Sequence, residues 1–413
     1  MSAQPWSERF AHIMPCGSST TSKAPTLLPD EPEVIVRGEG CRVWDDRGRE
    51  FIDFRNGLGP VTLGYRFPAV DEAIHRQLLA GITFGHPHPL ECQAAELLCE
   101  LVPHADQARF LKTGGEAIAA TIRIARAATG RDHIVHIGYN GWLNTLAPGA
   151  PPLPGAEPRQ FPGVPAAVSA LHHHARWNDP DGVAAVLDRH DVAAVVVASD
   201  YAGMAAGAEF YPQLRQLATA AGTLVIYDDI VTGFRIATAG VQEYFGVPPD
   251  LAVFSKGIAN GMPLSAYTGR REIMAAATGV SSTFGGETLA LAAAIACMNT
   301  YREQDVPAQL WQRGRQMWSG LDRIFTAAGL PLRTRGFAPC PALTAVDGAD
   351  ASVWLPAFLR AAYRNGVSLY TVSYVNFSHS ERDIDEALHR LEKACAELAD
   401  DADQLTAQAP SAR

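Results

Sequence analysis

The sequence has no apolar run approaching the length of a membrane span, so nothing in it calls for a lipid bilayer. Residues 1–14 mix Arg, Glu and His with apolar residues at helical spacing. They lack a basic start followed by an apolar core, so this segment is not expected to be a signal peptide. Clustered basic residues are missing as well. Lys and Arg number 34 against 44 Asp and Glu, a formal net charge of −10, which argues against a nucleic-acid partner. Paired cysteines are also absent. The seven (Cys16, Cys41, Cys92, Cys99, Cys297, Cys340, Cys395) are odd in number, scattered, and never form Cys-x-x-Cys, which favours free thiols, no zinc framework and a reducing cytoplasm. There is no internal repeat.

What is present is ample for a globular enzyme. The 413 residues are 47% hydrophobic and 19% charged, enough for a sizeable core and more consistent with two domains than one. From about residue 70 to 290, helical stretches (70–79, 91–101, 116–129, 211–221) alternate with apolar runs at 192–197, 223–227 and 251–254. Continuous apolarity in those runs fits strands covered on both faces, and the alternation fits an α/β domain with a mostly parallel sheet. From about 299 the pattern changes to long helices (303–328, 352–365) with brief strands (343–346, 367–370), as in a smaller α+β domain. Residues 147–165 hold seven prolines and are expected to form a long loop of the kind that acts as a lid. The polar, alanine-rich tail after Asp400 is expected to fray.

Four segments carry chemistry. Leu111-Lys112-Thr113-Gly114-Gly115-Glu116 turns from a strand into a helix, where backbone N–H groups at the positive helix end can grip a phosphate; an ordinary turn capped by Thr113 is the plainer reading. The run from Thr223 to Arg235 delivers two adjacent carboxylates, Asp228 and Asp229, to the end of a buried strand, the edge at which open α/β sheets bind ligands. With no third carboxylate nearby, a metal site is disfavoured. Val253-Phe254-Ser255-Lys256-Gly257 sets a lysine after an apolar strand, where a desolvated stem lowers its pKa towards a usable nucleophile; a surface lysine on a loop is the alternative. Ser282-Thr283-Phe284-Gly285-Gly286-Glu287 opens another helix, and simple capping would explain it equally.

Asp-Asp-Ile-Val-Thr-Gly-Phe-Arg, then Phe-Ser-Lys-Gly, then Thr-Phe-Gly-Gly-Glu-Thr, in this order and spacing, resembles the class III aminotransferases, particularly the branch similar to glutamate-1-semialdehyde aminomutase. Val43-Trp44-Asp45-Asp46-Arg47-Gly48, Gly64-Tyr65, Tyr139-Asn140-Gly141-Trp142 and Ser378-His379-Ser380 extend the likeness over residues 15–398. The resemblance implies fold type I and pyridoxal 5'-phosphate, held as a Schiff base on Lys256, which then shuttles a proton. It implies Asp228 opposite the pyridine nitrogen, Tyr139 and Ile230 on the two ring faces, Asn140 beside them, and Gly114 and Gly115 at the phosphate. Thr283 would reach the phosphate of a neighbouring subunit, which implies a homodimer with active sites at the interface. The domains implied are an N-terminal segment (1–65) packing with the small domain, a large cofactor-binding domain (66–295), a C-terminal small domain (296–400) and a tail (401–413).

Several positions depart from the family pattern. Asn140 stands where His is usual, Gly115 where Ser or Thr is frequent, and Asp229 where Glu is usual. Ala198-Ser199 replaces a common Glu-Pro, and Lys23 occupies the place of a carboxylate-binding arginine, whose bidentate fork lysine lacks. With Lys23, Asn56, Trp142 and Asp200 as substrate contacts, these departures point to a bulky polar substrate. The expected reaction is amino transfer to a carbonyl of an amino sugar, as in aminoglycoside antibiotic biosynthesis (6'-amination, for example). An aminomutase or epimerase using the same cofactor is the alternative, and a non-catalytic binding protein is disfavoured by the Lys256 and Asp228 pair.

Overall fold

The computed structural model of this chain describes residues 4–143, 163–277, 279–400 and 405. The expected lid loop at 147–165 lies outside them save for its last three residues, and so does the expected tail save for Leu405. The chain divides into two compact units: Met1–Asn56 with Gly64–Arg66 and Gln312–Arg413, and Gly57–Leu63 with Phe67–Trp311.

In the first unit, strands β1 (Ile35–Glu39), β2 (Arg42–Asp45) and β3 (Glu50–Asp53) form an antiparallel meander, and β13 (Val367–Ser368) adds in parallel beside β3. β11 (Leu332–Arg335) and β12 (Ala342–Ala345) make a separate antiparallel pair. The buried Asp53 carboxyl organises the end of β3 by accepting from the Tyr65 hydroxyl and the Ser368 hydroxyl, both at 2.7 Å. Helices Ala351–Arg364 and Glu381–Asp400 complete this unit.

The second unit is built on seven strands: β4 (Gln107–Leu111), β5 (His133–Ile137), β6 (His172–His174), β7 (Val192–Val197), β8 (Leu224–Asp228), β9 (Leu251–Phe254) and β10 (Ser265–Gly269), in the order β4-β10-β9-β8-β7-β5-β6. β10 runs against both its neighbours, and the other pairings are parallel, which is the mostly parallel α/β sheet expected. Every residue of β7 and β9 is buried, which is why their unbroken apolar runs coincide with the strand limits. Helix Gly114–Thr129 starts at a reciprocal Thr113/Glu116 capping box and stops at Gly130, whose φ of 68° suits glycine. Its Ile118, Ile122 and Ala125 join Ile134, Ala194, Val196, Ile226 and Val253 in one core, each larger side chain contributing about 1.5–3 kcal/mol.

Helix Thr288–Glu303 belongs to the second unit, and the division between the units lies between Trp311 and Gln312, within helix Val306–Ala327. The first turns of that helix are tied to the larger unit by the Trp311 indole, which donates to the Ile236 carbonyl at 2.9 Å and stacks on Tyr244. Among the described residues, no helix is long and apolar enough to cross a membrane.

Candidate active site

Because β4, β5, β7, β8 and β9 point the same way, their carboxyl ends share one edge of the sheet. Asp228 is the last residue of β8 and is buried there. Its Oδ1 accepts the Ile230 N–H at 3.2 Å and its Oδ2 accepts the Asn140 amide at 3.3 Å. Burial pushes its pKa up to about 6; the Asn140 and Ile230 hydrogen bonds and the Lys256 charge oppose that rise. Asp229 is used differently. It accepts the Thr232 hydroxyl at 2.6 Å and the Val241 N–H at 2.9 Å, and a Cβ on Gly240 (φ 67°) would collide with it. It therefore pins the loop after β8, and burial raises it to about 7. Arg235, at the end of the same motif, is also architectural: it donates to the Gly59 and Val231 carbonyls and to Thr62.

Lys256 follows β9 with φ 43°, a left-handed conformation that costs an ordinary residue about 1–2 kcal/mol. The surroundings hold it there. Ser255 donates to the Leu264 carbonyl at 2.7 Å, and the Tyr301 hydroxyl donates to the Gly257 carbonyl at 2.9 Å. Helix Gly114–Thr129 brings its amino end to the same sheet edge, the Thr113 carbonyl accepting from Ser265 at 2.8 Å and Gly114 lying against Ile230. Thr113 and Glu116 satisfy one another, while the N–H groups of Gly114 and Gly115 have no acceptor among the described residues. A Cβ on Gly114 would collide with Ile230, and one on Gly141 would lie 3.4 Å from the Gly115 Cα, so both glycines keep this cradle open. Such a cradle, at a positive helix end, has the donors an anionic phosphate needs.

The structure thus brings Asp228, Asn140 and Ile230 together, with Gly114 beside Ile230 and Gly115 beside Gly141. Tyr139 is 67% exposed and Trp142 70% exposed, at the start of the segment leading out of the described residues. Thr283 lies exposed in a turn and makes no hydrogen bond among the described residues. Asp200 accepts the Gly203 N–H at 2.9 Å, closing its own turn. Lys23, exposed, and Asn56 belong to the other unit. Asn56, expected as a substrate contact, is buried, donates to the Tyr374 carbonyl at 2.9 Å and accepts from Asn376 at 2.8 Å.

Sequence reasoning missed what stands behind Asp228. Arg126 Nη2 lies 3.1 Å from His172 Nε2, His172 Nδ1 lies 2.8 Å from His136 Nε2, and His136 Nδ1 lies 3.1 Å from Asn140 Oδ1. A guanidinium only donates, so His172 Nε2 accepts and its Nδ1 donates; His136 Nε2 then accepts and its Nδ1 donates to Asn140, whose amide donates to Asp228. One direction of donation runs through four side chains and ends on the carboxylate. Burial, with the neighbouring positive charges, lowers His136 to about 4 and His172 to about 3, so both rings are neutral at pH 7. The signal was the alternation of His172, His173 and His174 along a strand, which sends consecutive residues to opposite faces.

This architecture is that of a fold type I pyridoxal-phosphate enzyme. The chain belongs to the class-III aminotransferases, whose family model matches residues 29–395. It is 31% identical over 410 residues to the glutamate-1-semialdehyde 2,1-aminomutase of Acetivibrio thermocellus, covering 93% of this chain and 95% of that protein. Among solved structures it resembles the FumI protein of a Sphingopyxis species in its PLP internal aldimine form (TM-score 0.88, 27% identity, 96% of each chain). It also resembles an omega-transaminase from Sphaerobacter thermophilus (TM-score 0.84, 25% identity, 96% of this chain and 97% of that one).

Proposed function

We propose that the protein moves an amino group between an amine donor and an aldehyde or ketone carbonyl of an amino sugar, with pyridoxal 5'-phosphate bound covalently at Lys256. The observation that carries the reading is the buried Asp228 carboxylate, supplied with a donor by Asn140 and sharing the sheet edge with Lys256 and the open Gly114-Gly115 helix end. When bound, the cofactor supplies an electron-withdrawing ring that delocalises negative charge developing at the substrate carbon. Asp228 keeps a proton on the ring nitrogen by ion pairing, Gly114 and Gly115 hold the phosphate, and Tyr139 and Ile230 bracket the ring. Lys256 Nζ takes the proton from the substrate carbon and returns it elsewhere. Thr283, exposed in its turn, is proposed to complete the phosphate site of a second copy, giving a homodimer. Thr283→Ala is then expected to weaken cofactor binding by about 1–2 kcal/mol. A monomer that binds cofactor as tightly as the dimer would refute that role. The cysteines, all free among the described residues, support a reducing cytoplasm.

The substrate reading rests on the end of β7. Ala198 packs its backbone against Gly138, Ser199 hydrogen-bonds the buried Tyr211 hydroxyl at 2.8 Å, and Asp200 closes a turn, which supports a substrate recognised without a carboxylate anchor there. The second reading, an aminomutase acting on glutamate-1-semialdehyde, is favoured by the identity to the Acetivibrio thermocellus protein. Measured kcat/KM for an aminoglycoside primary amine against the semialdehyde separates them. The amino-sugar reading expects the aminoglycoside to react faster; a tenfold preference for the semialdehyde, about 1.4 kcal/mol, overturns it.

A further inference from the structure

We propose that His133, His173 and His190 form a binding site for one divalent transition-metal ion of the zinc class, on the face of the β5–β6 pair opposite the His136–His172 chain. The three come from separate pieces of backbone that the sheet brings side by side. His133 opens β5, and His173 is the middle residue of β6, paired in register with Val135. His190 sits in the turn between helix Pro180–Leu187 and β7, its N–H bonded to the Val186 carbonyl at 3.1 Å, two residues before Val192, which pairs with His133.

One ring nitrogen from each lies within 4.8 Å of the other two. His133 Nδ1 and His173 Nε2 are 2.9 Å apart, and the ring centroids are separated by 5.1 Å (His133–His173), 4.7 Å (His133–His190) and 4.1 Å (His173–His190). Three imidazole nitrogens at about 2.0–2.1 Å from a tetrahedral ion stand about 3.3 Å apart, a spacing these half-buried rings reach by small side-chain rotations. Imidazole donors without oxygen ligands select zinc, nickel, copper or cobalt over magnesium and calcium.

The charged neighbours cancel locally: the Arg131 Nε is ion-paired with Asp191 at 2.8 Å, and its Nη1 donates to the carbonyls of Val192, Ala221 and Gly222. The site opens on the amino end of β5, whereas Asn140 follows its carboxyl end. An ion there acts as a structural clip, fastening the three-residue edge strand β6 to β5 and to the α–β turn, and closing the 133–173 segment of chain.

The test is a cobalt(II) titration of the purified, cofactor-loaded protein after chelator treatment, followed by competition with zinc. The expected result is one ion per chain with the visible spectrum of tetrahedral nitrogen-ligated cobalt, lacking the thiolate charge-transfer band that cysteine ligation adds. His190→Asn and His173→Asn should each weaken binding by at least about 100-fold. His190→Asn alters a turn, so it keeps the test open if the strand variant fails to fold. Binding that survives unchanged in His190→Asn, a thiolate spectrum, or no cobalt retained at equimolar protein and metal overturns the proposal.

Discussion

On one face of the strand pair β5–β6, His136 and His172 stand between Arg126 and the Asn140–Asp228 pair; on the other, His133 and His173 meet His190 with no carboxylate bonded to their rings among the described residues. The residue type and the strand pair are shared, although His136 and His172 are buried and His133, His173 and His190 only half-buried. What differs is what terminates each cluster. A permanent cation at one end and an acceptor at the other give the inner rings a fixed tautomer and a fixed direction of donation, so they can hold a distant amide in one orientation. The outer rings have no such ends, so the proton shared between His133 Nδ1 and His173 Nε2 can shift to the far nitrogen of its ring and leave both facing nitrogens to an ion.

The largest expected effect is at the acceptor end. Asp228→Asn should retain cofactor but lower turnover by on the order of 10³-fold, because a neutral partner no longer holds the ring nitrogen protonated. Asp229→Asn, in the loop-pinning position, should be far milder; equal impairment of the two variants would show that the carboxylate roles are misassigned. A titration of cofactor affinity sharpens the same point. Burial holds Asp228 at about 6 in the cofactor-free protein, so it is anionic above that pH and neutral below it. Affinity should therefore fall by up to about tenfold per unit as the pH drops through 6, and Asp228→Asn should abolish that slope.

The donor end should matter less but measurably. Arg126→Leu removes the group that sets the direction of the chain, and turnover is expected to fall by about tenfold, roughly 1.4 kcal/mol. Nitrogen-15 shifts of His172 and His136 should report altered tautomers in the same variant; unchanged tautomers would mean that Arg126 does not set the chain's polarity. Smallest of all, His190→Asn on the outer face should leave amine turnover within about twofold of the parent. A larger loss would erase the contrast between the two faces.

Cofactor-free stability offers a separate check on Asp229. Its folded pKa, raised by burial to about 7, lies above the ordinary 3.8, so the native state binds more protons than the unfolded state between those values. Stability should accordingly decline as pH rises from about 4 to 7, and denaturant unfolding of Asp229→Asn should show a shallower decline.

The parts legible in the sequence were those whose physics is local. β7 and β9 are unbroken apolar runs, and Gly114, Asp228 and Lys256 sit at strand-to-loop turns that motif spacing marks. β5 and β6 were not legible, because five of their eight residues are histidines and their apolar signal is weak. The Arg126–His172–His136 chain was hidden for the same reason: its members are 10 and 36 residues apart and meet only once the parallel register of β5 and β6 is set. The burial of Asn56 and its φ of 47° were likewise not legible, because neither leaves a trace in composition.

The central claim is that Lys256 is the point of cofactor attachment, and this chain makes the test unusually clean, because its only lysines are Lys23, Lys112, Lys256 and Lys393. Lys112 is already engaged, its Nζ 2.7 Å from Glu287. The holoprotein is reduced with borohydride, digested and mapped for the pyridoxyl group. The account predicts one labelled peptide carrying Lys256, in stoichiometric yield with the loss of the cofactor's visible band. Label on any of the other three lysines, or a colourless protein that takes up none, would contradict it.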